Sequence, residues 1–529
     1  MSALVDCPEL QLPDDDDSDT EDEYLDSSNL LFQSEAPMDV ISAGIDVQPT
    51  DVVKQILAEA GLSAGITDPP SSETDRLKLE TDSISTTSSQ DISEDPSNYT
   101  AVIPDWKDQN MLVFVLSEAG KPIYSRYGDE CRLASIMGVM QALVSFVAAS
   151  NDELLSVDAG ERSFVFLTRP HLILVAVGSV AEPKEHFVVC LGYVYSQLLS
   201  LLTLQRLDHR FTVQKNLDLR RLLVGDSRLI SSIVEFVEDS FAAFLQSVSY
   251  LPLAPAVRDA CSQIISQSVK SRVVVFGLLL HRNHLVSLVR MKGHELHPAD
   301  IHLIINLVCS SQSLKSVQTH WIPICLPKFD ANGFLYANIA FLDNHTSSVL
   351  LSVDSTQFYA LEEAKDAIFD RLKSTNGGEY VTAITTTQFP SVHDIGVPEL
   401  RHLVCKYLPT AQYVATEWTV PYLDPPSDGV SCSVSGDSQI SETRGLRAKI
   451  LQTYRRMYCR LHNRRYNIRL IYQSTPTEVF FAWKTDVFEI YCTLDPLTTK
   501  TAINEIRKTV LKWITSRKQY LFCLTAPTF

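Results

Sequence analysis

Thirteen histidines and eleven cysteines are spread through 529 residues, and the nearest thing to a metal-like cluster is His281, His284, His294 and His297. The first pair falls in an expected hairpin turn, and the second flanks Glu295 and Leu296. Zinc sites normally add thiolates, or two histidines held one helical turn apart. These four are therefore read as solvated loop histidines, and no metal or other cofactor is expected. The carboxylate pair Glu362-Glu363 lies on a predicted helix surface and reads as solvated charge. No C-x-x-C pair occurs, and Cys190, Cys309, Cys325 and Cys492 sit in apolar runs, where a reduced thiol behaves as a small hydrophobe. Cysteine–histidine catalysis is thus left with no particular cysteine to carry it. Phosphate loops of the G-x-x-x-x-G-K-[ST] and G-x-G-x-x-G kinds are missing, as are G-x-S-x-G and H-E-x-x-H. An enzyme working through its own side chains is not expected.

One stretch does concentrate charge. Arg444, Arg447, Lys449, Arg455, Arg456, Arg460, Arg464, Arg465 and Arg469 crowd a predicted helix over 442–463 and the residues after it. Leu446, Ile450, Tyr454, Met457 and Leu461 form one apolar stripe, with Lys449, Arg456 and Arg460 on the opposite face. Residues 396–529 carry 18 bases and 11 acids. A basic face on such a body suits an anionic membrane surface, at about 1 kcal/mol per well-placed base. Lys449, Arg455, Arg456, Arg460, Arg464 and Arg465 are the candidate phosphoinositide contacts.

These residues need elements to hold them. The net charge of −19 is not evenly spread, because residues 1–105 hold 25 acids and 3 bases while the rest holds 39 acids and 42 bases. The acidic head, with Asp14–Asp17, Glu21–Glu23 and a Ser/Thr-rich run from Ser83 to Ser97, is too polar and too charged to fold alone. Within it Val52, Val53, Ile56 and Leu57 share one helical face, which makes a regulatory docking helix a hypothesis for this segment. The near-neutral remainder speaks against nucleic-acid binding. No apolar run approaches bilayer-spanning length, and the acidic N-terminus does not resemble a signal peptide, so a cytosolic chain is expected.

From residue 110 one order of elements occurs three times: strand, strand, helix, three strands, helix. The first pass runs through Met111–Leu116, Pro122–Tyr127, a helix opening at Gly128-Asp129, three strands to Val177 and helices over 185–203 and 227–246. In the second, strands at Arg272–Leu280 and Leu285–Arg290 precede the helix Ala299–Leu314, three more strands and a helix to Ser374. The third begins at His402–Leu408, crosses a linker at Asp424–Ser441 and ends on a helix over 498–517. The expected fold is α/β (α+β), with three longin-like (roadblock-like) modules at 106–250, 251–395 and 396–529. Each is a five-stranded mixed sheet flanked by helices, following the disordered acidic region 1–105. Exposed sheet edges in such modules invite partners.

Phe114–Ala134 (FVLSEAGKPIYSRYGDECRLA), Tyr193–Thr203 (YVYSQLLSLLT), Thr319–Phe329 (THWIPICLPKF) and the Tyr454-Arg455-Arg456 core resemble the SAND, or vacuolar-fusion monensin-sensitivity, family over residues 107–529. The resemblance implies a subunit of a heterodimeric guanine nucleotide exchange factor. Its substrate would be the late-endosomal Rab GTPase, and its partner a second tri-longin protein, the calcium–caffeine–zinc-sensitivity subunit. It also implies recruitment by the early-endosomal Rab GTPase and phosphatidylinositol 3-phosphate, room for a third scaffold subunit, and a cytoplasmic life peripheral to endosomes and autophagosomes. Tyr124, Arg126, Tyr127, Asp129, Glu130 and Arg132 are then the candidate GTPase contacts, projecting from a rigid scaffold. A non-catalytic longin adaptor or tether is the competing reading.

Overall fold

The computed structural model describes residues 109–128, 133–214, 217–223, 225–269, 274–310, 319–374, 378–423 and 434–529, the last without side chains for 434–441. The docking stretch Val52–Leu57 lies outside them.

Each module is built outward from strands that are apolar on both faces. In the first, β1 (Met111–Ser117) is buried throughout. It pairs antiparallel with β2 (Pro122–Ser125) on one side and with β5 (Leu172–Ser179) on the other. The helix α1 (Ala134–Ala148) crosses to β3 (Ser156–Ala159) and β4 (Arg162–Arg169), giving the order β2-β1-β5-β4-β3. Leu112, Phe114 and Leu116 face α1, whereas Met111, Val113 and Val115 face the other layer. That layer is α2 (Lys184–Leu202), with α3 (Leu204–Val213) and α4 (Ser227–Asp239) packed around it. A two-residue periodicity with both faces apolar thus demands a helix on each side.

A short α5 (Phe241–Leu245) and β6 (Val248–Ser249) lead out of this module. The second module begins on α6 (Pro255–Ser268), followed by β7 (Val274–His281), β8 (His284–Arg290) and α7 (Pro298–Ser310). It continues through β9 (Thr319–Leu326), β10 (Asp330–Phe341), β11 (Thr346–Ser352), α8 (Phe358–Ser374) and α9 (Glu379–Thr386). Its strand order, β8-β7-β11-β10-β9, repeats that of the first sheet. The third contains β12 (Leu400–Tyr407), β13 (Gln412–Ala415), α10 (Val434–Leu461), β14 (Leu470–Ser474), β15 (Val479–Lys484), β16 (Phe488–Leu494) and α11 (Lys500–Ser516).

Several expectations change. The first two sheets are antiparallel throughout rather than mixed, and the parallel pairing belongs to the third, where β6 adds a sixth strand beside β13. The helix expected to open at Gly128-Asp129 begins at Ala134, and the linker expected to reach Ser441 gives way to α10 at Val434. Unexpected helices appear at α3, α6 and α9, and α6 shows why: Arg258, Ser262 and Ser268 are buried on its inner face and break the apolar stripe. One helix, α2, is in fact long and apolar enough to span a bilayer, but most of it is buried inside the protein.

Polar seams bind the modules. Between the first and second, Tyr193 Oη lies 2.8 Å from His302 Nδ1, Asn306 donates to Gln197 Oε1 at 2.8 Å, and Ser232 meets Ser310 at 2.6 Å. Between the second and third, the buried Arg258 guanidinium donates to the carbonyls of Leu251, Gln519, Tyr520 and Phe522. The C-terminal residues then return across β8, where Thr528 bridges Arg290.

Candidate functional site

The edge strand β2 carries three of the six candidate GTPase contacts or leads straight into them. Alternation along β2 sends Tyr124 inward: its ring joins the core over α2, and its hydroxyl lies 2.8 Å from Ser231 Oγ on α4. Burial pushes the phenol up to about 12, against the pull of the Ser231 bond. Arg126 is not free either. Its side chain is 7% exposed, pairs with Glu238 at 2.7 Å and donates to the Met111 carbonyl at 3.2 Å. Burial works against the Arg126 charge, but the bond and charge of Glu238 outweigh it and its pKa rises. On the acid, burial wins over Arg126 and holds the carboxyl above its usual range. Tyr127 is half-buried, with the Arg126 guanidinium 5.1 Å from its ring centroid. Tyr124 and Arg126 therefore fasten the β2 edge to α4, a correction that follows from strand alternation and a partly buried acid on a neighbouring helix. Asp129, Glu130 and Arg132 lie outside the described residues.

The basic helix divides in the same way. Its apolar stripe packs as the spacing predicts, with Ile450, Tyr454, Met457 and Leu461 buried on the third sheet against Phe480 and Tyr491. Lys449 and Arg456 are exposed, as are Arg464 and Arg465 beyond the helix end, and Arg460 is half-buried. Arg456 also donates from Nε (2.9 Å) and Nη2 (2.7 Å) to the Ala181 carbonyl of the first module. Arg455 must be withdrawn from the membrane-facing set. It is 5% exposed, sits 3.3 Å from Glu182 and donates to the Val237 and Glu238 carbonyls. Burial lowers its pKa, with Glu182 opposing that effect. Beside it opens a polar cleft of about 440 Å³, lined by Arg162, Glu182, His186, Lys449 and Arg455 among others.

The groups with chemical potential are packed rather than poised. Burial pushes the Cys190, Cys261, Cys325 and Cys459 thiols up to about 12, and a thiol so far above neutrality is not a nucleophile. His281 and His284, expected in solvent, flank a tight hairpin instead: His281 bonds Thr346 at 2.9 Å, and His284 bonds Ser249 at 2.9 Å and packs on Phe389. Among the described residues no group of three or more His, Cys, Asp or Glu is placed to hold a metal ion.

One surface went unremarked in the sequence. The outer side of α1 leaves Phe146 67% exposed, and Leu155 in the following loop is 64% exposed. Ala142 and Phe146 are exposed beside the buried stripe of Ile136, Met137, Met140 and Val144, with the half-buried Val139 at its margin. The signal was present as an apolar arc too wide for a helix that covers one sheet face.

Residues 111–233, 272–370 and 399–518 match the first, second and third longin domains of FUZ, MON1 and HPS1. The chain is 38% identical over 427 residues to the vacuolar fusion protein MON1 homolog A of Gallus gallus, across 80% of this chain and 74% of that protein. It is 37% identical to MON1 homolog A of Homo sapiens, across 80% and 62%, and 35% identical to Protein SAND of Takifugu rubripes, across 80% and 78%.

Proposed function

Because the chain belongs to the longin family of FUZ, MON1 and HPS1, among the MON1/SAND vacuolar fusion proteins, we propose that it is one subunit of a guanine nucleotide exchange factor for the late-endosomal Rab GTPase. The observation that carries this reading is the apolar outer face of α1, with Phe146 and Leu155 exposed on a module otherwise packed on both sheet faces. Such a patch suits a partner of the same architecture, and the occupant proposed is a second tri-longin subunit. The GTPase would be held across the two first modules. Here Tyr127 stands at the surface, Tyr124 and Arg126 fix the β2 edge, and Asp129, Glu130 and Arg132 remain proposed contacts.

Exchange needs no residue that touches the nucleotide. Acceleration follows if the paired surface binds the nucleotide-free GTPase more tightly than the loaded one. Lys449, Arg456, Arg460, Arg464 and Arg465 supply a cationic face for phosphatidylinositol 3-phosphate membranes, each base adding about 1 kcal/mol where it reaches the surface. Recruitment by the early-endosomal Rab, with a third scaffold subunit, would place the complex peripherally on endosomes and autophagosomes. There it would drive endosome conversion and autophagosome–lysosome fusion.

The test is release of a fluorescent guanine nucleotide from the late-endosomal Rab, with this chain alone and with its partner. The expected result is marked acceleration by the complex and little by the chain alone. No acceleration by the complex would leave the adaptor reading. On vesicles containing phosphatidylinositol 3-phosphate, K449E/R456E/R460E should lower binding about a hundred-fold if all three bases reach the surface; unchanged binding would remove the lipid role.

A further inference from the structure

The third sheet has two unlike ends. At one of them the pairing brings together the turn before β14, the β15–β16 hairpin and the β12–β13 connection, since Leu470 pairs with Trp483, Lys484 with Glu489 and Tyr407 with Phe488. Each of these three loops exposes one apolar residue: Tyr466 (63% exposed), Val487 (38%) and Pro409. Leu497, 87% exposed, lies at the opposite end, past the last residue of β16.

Three features say what meets this tip. First, the loop that carries Tyr466 is pinned at both ends. The Arg465 amide donates to Asn463 Oδ1 at 2.9 Å, the Tyr466 amide to the Asn463 carbonyl at 3.2 Å, and the Lys484 amide to the Arg469 carbonyl at 2.8 Å. An aromatic ring held in water by its own backbone gives up little conformational freedom when it is covered. Second, residues 443–477 carry nine bases and no acid. Arg464, Arg465 and Arg469 are exposed around Tyr466, Lys484 leads into the hairpin, and Asp486 is the only acid on the three loops. At the opposite end Glu399, Glu478 and Asp495 answer Arg401 and Lys500. Third, the apolar residues stand on separate loop tips, and none of them lines the cleft beside Arg455. Projecting tips can enter a fluid interface, whereas a protein partner must supply a matching pocket for each. Single-stranded nucleic acid would stack on Tyr466 but gain nothing from Val487 and Pro409. Tyrosine settles at the headgroup level of a bilayer, and arginines beside it reach the lipid phosphates.

We propose that this end of the third module inserts into an anionic bilayer. Tyr466 and Val487 enter the headgroup layer, and Arg464, Arg465 and Arg469 pair with lipid phosphates around them. The inference rests on the membrane reading above and deepens it, since the basic helix attracts the protein and the tip holds it. It also sets a pose, in which the strands of the third sheet stand end-on to the membrane and Leu497 points away.

Co-sedimentation of the full chain with vesicles of phosphatidylcholine, phosphatidylserine and phosphatidylinositol 3-phosphate tests this, with K449E/R456E/R460E alongside. Tyr466→Ser should weaken binding about five-fold and Val487→Asp about ten-fold. The loss in Tyr466→Ser should persist in high salt, which screens the bases but not the insertion. Tyr466→Trp should bind at least as tightly as the parent chain and gain tryptophan quenching by brominated phosphatidylcholine. Leu497→Ser should bind as the parent does. All three positions are exposed, so the thermal midpoint should stay in place. Full binding by Tyr466→Ser and Val487→Asp, with K449E/R456E/R460E still weakened, would overturn the inference and leave the electrostatic reading standing. No vesicle binding by the parent chain would overturn both. Equal losses in Leu497→Ser and Tyr466→Ser, or no added quenching in Tyr466→Trp, would overturn insertion at this end. Loss of the second tri-longin subunit in Tyr466→Ser, with vesicle binding unchanged, would assign the tip to that partner instead.

Discussion

Arg455 and Arg456 are neighbours on α10, yet about 100° of helical rotation gives them different work. Arg455 enters the junction between the first and third modules, where it meets Glu182, whose side chain is 18% exposed, and two carbonyls. Removing one member of a buried pair leaves the other charge without compensation, which costs about 3 kcal/mol. Arg455→Ala should therefore bring the first urea-unfolding transition to a clearly lower concentration. Arg456→Ala, at an exposed position, should move it by less than about 1 kcal/mol. Equal shifts for the two variants would show that Arg455 does not hold the modules together. The sequence displayed both residues as one basic cluster. Charge content was legible, but the burial of one charge was not, because the acid that pairs with Arg455 lies 273 residues away.

At the scale of elements, α1 is a helix with an apolar arc wider than the one sheet face it covers. The buried stripe closes the first core, and the rest stays in solvent with Phe146 and Leu155. Phe146→Asp and Leu155→Asp remove no buried contact, so stability should change by no more than about 0.5 kcal/mol. Co-purification with the second tri-longin subunit should be lost in the same variants. If the complex survives both substitutions, this face is not the subunit interface. The strand alternation that turns Tyr124 and Ser125 to opposite faces was equally readable in the sequence. Both are buried in the fold, and what the sequence could not show was that α4 covers one of those faces, with Ser231 and Glu238 receiving Tyr124 and Arg126.

For the whole molecule, buried histidines spread over the last two modules and their seams make stability depend on pH. Burial drives the imidazole of His284 down to about 4 and those of His302 and His402 down to about 3. Each is neutral in the folded chain and takes up a proton on unfolding below about pH 6.5. Their stabilisation is complete above that pH and declines as pH falls towards the folded values, by about 1.4 kcal/mol per pH unit for each. Asp300, raised to about 6 by burial, works in the opposite sense, since its share is lost as pH rises. Burial also lowers His186, His281 and His297 and raises Asp226 and Glu238, and six depressed histidines against three raised carboxylates give a net fall on acidification. The thermal midpoint should therefore drop between pH 7 and pH 5, and His402→Phe, which keeps the stacking on Trp418, should make that slope shallower. A midpoint flat across this range would mean the histidines are charged in the fold.

By itself the sequence determined the modules and their charge. Strands such as β1 and β5, apolar on both faces, require helices on each side, and three repeats of one element order required three sheets. The confinement of all the excess negative charge to residues 1–105 was likewise open to view. Only the tertiary structure decided which polar residues became fasteners. Arg258 finds Gln519, Tyr520 and Phe522 more than 250 residues away, β6 leaves its own module to extend the third sheet, and Trp513 comes to line a trough between modules. Periodicity tells a residue which face of its own element it occupies. It carries no information about which distant element will cover that face, and that choice falls to packing.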